Sequence, residues 1–394
     1  MLYFRLMTTA AMSSKFNLPD RFLRAEREQI VASANERLIL DLVRRQGEMT
    51  RADLTRVTDL TAQSVMRLVD DLIARGLLRF GATVSIGRGK PSPVVQLVPD
   101  FAFCAGVSIA TDAVTLVLVN FAGTVVAQRV EPMAVITRES LTAFLKPALA
   151  KLLAGTTGAR ERLFGVGVAM TGFFIGKGTP LNPPQPLDDL ALIELDTYLE
   201  RALGHPVWID NDGNAAAIGE SLLGLGREHR HFAYLYFSHG FGGGLVSNGE
   251  CLRGVHGNAG EFAGMLPMQN LPRPTLELLR EMRAEDGHPV ATIHELLAQF
   301  DPAWPCVDRW IAAVAPSMSL VASAIIAIFD PELIVLGGRM PRALADRLIP
   351  HIRIDNQPRR GVQRPQAVVV AAETRGDAAA IGAAAAPFKR YFFL

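Results

Sequence analysis

Ala62, Gln63, Ser64 and Arg67 have the types and spacing to read a DNA groove. They cluster near the start of a helical stretch, on the side that Val65, Leu68, Val69, Leu72 and Ile73 leave free. Small, amide, hydroxyl and guanidinium groups at such positions meet base edges in the major groove. Arg88 and Lys90, in the loop Ser85–Pro91, are cations that reach phosphates or an adjacent minor groove. Thr50 and Arg51, where the preceding helix opens, complete this set. A second chemistry is written in Ile209–Glu220, IDNDGNAAAIGE, where Asp212 and Asn214 either cap a helix or offer hydrogen bonds to a ligand. Gly240, Gly242, Gly243 and Gly244 let a backbone approach a phosphate or sugar, or simply form a tight hairpin.

The elements that hold these residues follow from apolar periodicity. Leu38, Ile39, Leu42 and Val43 mark one face of a helix that stops at Gly47. Thr50–Asp53 reads as a capping box opening a short helix with Leu54 and Val57 inward. Thr61 starts the third helix, which ends at Gly76, and Leu77–Phe80 and Val94–Leu97 are strands around the basic loop. Three helices and a basic-tipped hairpin make a winged helix-turn-helix over residues 31–98, with residues 1–30 an arm. From residue 99 to 394 strands and helices alternate in two similar α/β halves, about 99–214 with the C-terminal helix and 215–376, with a cleft between them. Within this part the pattern predicts helices over 190–203 and 377–385, and an apolar tail Tyr391–Leu394 that packs on the domain or on a partner subunit.

Composition narrows the class. Of 394 residues 49% are hydrophobic and 20% charged, as in a folded soluble protein. Forty Lys plus Arg against 39 Asp plus Glu leave a net charge of +1, so DNA contact depends on a local basic surface. Cys104, Cys251 and Cys306 stand apart, with neither a disulfide framework nor a zinc-type pair, and His229, His231 and His256 lack metal-ligand spacing. No apolar run of about 18 residues is free of charge, Gly or Pro, and the opening MLYFRLMTTAAM is too broken for a signal peptide, with Met7 and Met12 as alternative starts. A cytoplasmic protein without a membrane segment is expected.

Four segments together resemble the ROK family, which contains sugar-responsive repressors and sugar kinases on the actin/hexokinase fold: FGVGVAMTG (164–172), IDNDGNAAAIGE, the run from Gly240 to Gly264, and DPELIVLGG (330–338) with RGDAAAIGAA beyond it. The winged helix-turn-helix in front matches the repressor branch. The resemblance implies that Asp212 stands where kinases place the base that accepts a sugar hydroxyl's proton, and that Asn211, Glu261 and Glu277 bind neighbouring hydroxyls.

Departures from the family set the expectation for function. Kinases carry D-x-G-G-T at the end of the first strand, where the carboxylate orients Mg²⁺ and the glycines admit phosphates; here the stretch is Ser108-Ile109-Ala110-Thr111-Asp112. Thr171 replaces a usual Pro, Gly264 a sugar-contacting, zinc-ligating His, and MLPMQNLPRPTLE (265–277) lacks the zinc loop's cysteines. Asp212 is then a vestigial base. The expected protein is a non-enzymatic repressor of carbohydrate metabolism genes with no metal and no cofactor. Its expected partners are operator DNA, a carbohydrate effector and a second copy of itself. The alternative is an ATP-dependent sugar kinase with a regulatory head.

Overall fold

The computed structural model describes residues 31–84, 92–175, 180–267 and 270–394. The expected arm, Arg88 and Lys90 lie outside these residues. The head begins with α1 (Ala34–Gln46), ended by Gly47 at φ +80°. Strand β1 (Met49–Thr50), which the sequence reading did not include, leads into α2 (Arg51–Val57) and α3 (Ala62–Ala74). Strands β2 (Leu78–Val84) and β3 (Ser92–Leu97) follow, and β1 pairs with β3 to give the sheet order β1-β3-β2.

Two expectations for the head need correction. Val57 is 54% exposed, leaving Leu54 as the buried contact of α2. Helix α1 buries more than the one expected face: Leu40, Asp41 and Arg44 are inside together with Ile39 and Val43. The reason is that α1 is covered from two sides, by the rest of the head and by the C-terminal helix described below.

The remainder is built twice on one plan. Strands β4 (Phe103–Ile109), β5 (Ala113–Asn120) and β6 (Val125–Pro132) form an antiparallel meander. After α4 (Arg138–Gly155), β7 (Leu163–Met170) pairs parallel with β4, and a short hairpin, β8 (Phe173–Phe174) and β9 (Leu181–Asn182), follows. Helix α5 (Leu195–Leu203) starts later than expected, since Leu192 takes φ +60° and a 3₁₀ turn covers Gln185–Leu190. Strand β10 (Val207–Asn211) completes the sheet order β10-β7-β4-β5-β6.

Helix α6 (Asp212–Leu223) leads to the second sheet. There β11 (Phe232–Phe237), β12 (Phe241–Ser247) and β13 (Glu250–Leu252) are antiparallel, and the order is β13-β12-β11-β14-β15. Helices α7 (Leu276–Glu285), α8 (Ile293–Ala298) and α9 (Pro305–Phe329) precede β14 (Leu333–Gly338), α10 (Arg342–Leu348) and β15 (Val368–Ala371). Helix α9 is apolar and long enough to span a bilayer, because it runs on through Pro316, but its Trp310, Val314, Met318 and Val321 are core residues of the second lobe.

The last helix, α11 (Ala378–Phe392), runs beyond the expected end at 385 and through Pro387. Phe388, Tyr391 and Phe392 sit in an aromatic cluster with Phe121, Phe164 and Trp208, and that burial offsets the backbone bond lost at the proline. The tail thus packs on its own chain. Small residues let α11 run close to its neighbours: a Cβ on Gly167 would lie 1.8 Å from the Ala383 carbonyl oxygen, and one on Gly382 1.7 Å from that of Ala215 in α6. Gly382→Ala is expected to lower stability by about 2–3 kcal/mol, measured by thermal melting. Gly155→Ala, whose Cβ meets nothing, serves as the control; equal melting of both variants would show that the crossing is not tight.

Candidate functional site

On the head, the exposed side of α3 presents Ala62, Gln63 and Arg67, with Met66 49% exposed among them. Ser64 is half-buried, and Thr61 donates to its hydroxyl at 3.0 Å. Thr50 leaves the candidate DNA face: it is 3% exposed, donates to Asp53 at 2.7 Å and accepts from the Asp53 amide, forming the capping box. Arg51 pairs with Asp70 of α3 and lies 5.2 Å from the Phe80 ring centroid, so it fixes the helix pair from the rim of that face.

Helix α6 begins at the C-terminal end of β10, the end of a parallel strand at which α/β folds commonly bind ligands. The Asn211 carbonyl group of the side chain accepts from the Gly213 and Asn214 amides, at 2.8 and 3.2 Å, and its Nδ2 donates to the Gly172 carbonyl at 2.7 Å. Capping therefore uses Asn211, and not Asp212 or Asn214 as expected. Asp212 accepts from the Gly213 amide at 2.9 Å and is hydrogen-bonded by the Thr171 hydroxyl, so the residue replacing the usual Pro holds the acid. Burial, and to a lesser degree the nearby charges of Glu261 and Asp377, push its carboxyl up to about 7. Glu261, at the open side, is likewise raised by desolvation, with Arg273 acting against it. Asp377 caps α11, accepting from the Ala380 amide at 2.9 Å, and Tyr236 stands close to both Asp212 and Asp377. The signal for Asp377 is an Asp directly before an Ala run, a helix-start pattern.

Glu277 does not join this group. It accepts from Arg280 at 2.6 Å, lies 3.7 Å from His239 Nδ1, and is held below the usual carboxylate range by Arg280, against burial and, to a smaller extent, the charge of Asp112. For the glycine run the hairpin alternative is the one that forms: Gly242, Gly243 and Gly244 lie inside β12, and Gly240 sits in the turn that joins it to β11. A Cβ on Gly244 would lie 2.7 Å from the Ala217 Cβ, so the glycines seat α6 against the strand. Among the described residues no group of three or more His, Cys, Asp and Glu side chains is placed to hold a metal.

The residue that sequence reading passed over is Asp112. It is 7% exposed, at the end of the stretch that replaces the kinase phosphate motif. Its Oδ1 accepts from Arg339 Nη1 at 2.6 Å and its Oδ2 from the His294 backbone amide at 2.6 Å. A buried ion pair therefore crosses from the first lobe to β14 and α8 of the second, and an arginine stands beside the strand end to which the resemblance assigns nucleotide phosphates.

A winged helix-turn-helix joined to a two-lobed actin/hexokinase-like fold defines the class. The ROK family model matches residues 104–275 and a MarR family model residues 33–89. The chain belongs to the ROK family. It is 30% identical over 369 residues to protein y4fQ of Sinorhizobium fredii (strain NBRC 101917 / NGR234), covering 92% of each. It is 25% identical over 253 residues to the xylose repressor of Bacillus spizizenii (strain ATCC 23059 / NRRL B-14472 / W23), covering 62% of this chain and 64% of that protein. Among solved structures, a ROK family transcriptional regulator described as a homolog of the E. coli MLC protein matches with a TM-score of 0.63 at 20% identity, over 91% of this chain and 95% of that one. ROK kinases share the fold of the two lobes.

Asp212 gives stability a pH dependence whose sign follows from its raised carboxyl. Between the unfolded value, roughly 4, and about 7 the native chain keeps a proton that the unfolded chain has lost. Its contribution is complete below the unfolded value, declines as pH rises, and is gone above about 7. Asp212→Asn should therefore melt above wild type at pH 8, by on the order of 2–4 kcal/mol, with the gap closing toward pH 4. Parallel melting profiles of the two proteins across that range would contradict the buried, unpaired acid.

Proposed function

We propose that the chain is a transcriptional repressor that binds operator DNA as a homodimer and responds to a sugar or sugar derivative held in the cleft. The observation that carries this reading is the pairing of a helix-turn-helix head with a cleft that keeps a hydroxyl-binding set while its phosphate end is crossed by Asp112 and Arg339. Asn211, Asp212 and Glu261 supply acceptors and a donor for a polyol, and Ser108, Ala110 and Thr111 stand where Mg²⁺ and phosphates need a carboxylate and glycines. Gly264 supports a ligand bulkier than a plain hexose, because a Cβ there meets nothing within 4 Å. Two heads reading two half-sites give the selectivity that one three-helix head lacks.

In this reading Gln63 and Arg67 contact bases, and Arg51 with the basic loop contacts the backbone. Arg67→Ala should weaken binding to a duplex enriched from a random pool by about 1–3 kcal/mol and relax the preference at one base position, read by fluorescence anisotropy. A thermal-shift panel of free sugars, sugar phosphates and polyols tests the cleft: a binder raises the melting temperature of wild type and not of Asp212→Ala. If Arg67→Ala binds like wild type, the face is misassigned. The kinase reading rests on Asp212, and Mg²⁺-dependent sugar phosphorylation abolished in Asp212→Asn would establish it in place of the repressor.

A further inference from the structure

Helix α6 has one end in the cleft and the other in the head. Asp212 opens it, every residue from Asp212 to Leu222 is buried, and its 12 residues span about 18 Å. At the far end the last carbonyls of a helix lack partners within it. The Leu222 carbonyl takes its hydrogen bond from Arg44 Nη1, a side chain of α1 in the head. Arg44 is 5% exposed, its Nε and Nη2 donate to Asp41 Oδ1 at 3.2 and 2.7 Å, and it lies 5.4 Å from the Phe393 ring centroid. Just beyond, Arg45 Nε donates to the Arg227 carbonyl and Arg227 Nη2 to the Arg45 carbonyl, both at 2.8 Å. The head therefore supplies the C-terminal cap of the helix whose N-terminal turn lines the cleft.

We propose that α6 links the cleft to the head and that Arg44 is the positioning residue that couples them. A cation at the negative end of a helix dipole holds that end firmly. Close packing against β12 and α11 leaves α6 no room to bend, so a change at Asp212 moves the helix as a unit. Its other end then carries α1, on which α3 is packed. The inference deepens the proposed function and rests on the DNA-binding reading of the head; the identity of the sugar does not enter it.

Linkage is reciprocal, so DNA at the head must be felt in the cleft. The test uses the full chain, a duplex enriched by wild type from a random pool, and hydrogen–deuterium exchange of the segment 211–217. Saturating duplex should slow exchange of that segment about fivefold in wild type, and less than twofold in Arg44→Met at a concentration that saturates the variant. Arg44→Lys keeps a cation beside Asp41 but lacks the fork that also reaches Leu222, and provides the same test where the methionine variant fails to fold. Equal slowing in wild type and variants, or none in wild type, overturns the coupling. Failure of the DNA reading shows differently, as a chain that enriches no duplex, and removes the coupling with it.

Discussion

The absence of side chains where α6 crosses α11 is the constraint on which the rest of the molecule depends. A helix buried on every side must meet its neighbours at backbone distance somewhere, and here Gly219 and Gly382 face each other while Gly167 admits α11 from the first sheet. That crossing fixes both ends of α6. One end holds Asp212 at the mouth of β10, and the other brings Leu222 and Ile218 into the apolar cluster shared by the head, the first sheet and the C-terminal aromatics. Head and first lobe thus have a common core, and the apolar tail supplies part of that core.

Two buried carboxylates in the cleft have opposite environments. Asp212 has backbone and hydroxyl donors but no cation, and burial keeps it partly protonated at neutral pH. Such an acid both donates to and accepts from hydroxyl groups, which suits a polyol. Asp112 has a guanidinium and a helix-start amide, so its lone pairs are spoken for within the protein. A buried ion pair is weak evidence for stability but sets register, because breaking it leaves a charge without a partner. Its register here is that of lobe against lobe, at the end of the cleft where a nucleotide would need freedom.

What the sequence made legible was what is local. Gly47 ends α1, Thr50 and Asp53 form the capping box, Thr61 caps α3, and strands with clear alternation fall within a few residues of expectation. The motif residues Asn211 and Asp212 adjoin in the chain, and Glu261 lies near enough to Asp212 for its charge to act there. Partners far apart along the chain stayed hidden: Arg44 reads as a cation on a helix surface until Leu222, 178 residues on, is beside it, and Asp112 lies 227 residues from Arg339. The glycine run left a ligand-binding turn and a tight hairpin both open; it forms the hairpin, and at Gly244 the missing side chain admits Ala217 of α6. The last helix continues past 385 for a related reason: the local rule against proline at 387 yields to the aromatic contacts that follow it.

A repressor built this way need not move far. A ligand shifts the balance of two head positions only by the difference in its affinity for them, so a sugar bound equally in both changes nothing however tight it is. The cleft would meet that requirement through α6 if the proposed coupling holds, since Asn211 caps this helix and Asp212 opens it. Coupling of about 1–3 kcal/mol per chain is ordinary for linked sites. Were two copies to bind one palindrome, a displacement of each head would act twice on the same half-site spacing. On the proposed coupling, the link from Asp212 to Arg44 through the buried α6 is the route by which a ligand would bias one head position over the other.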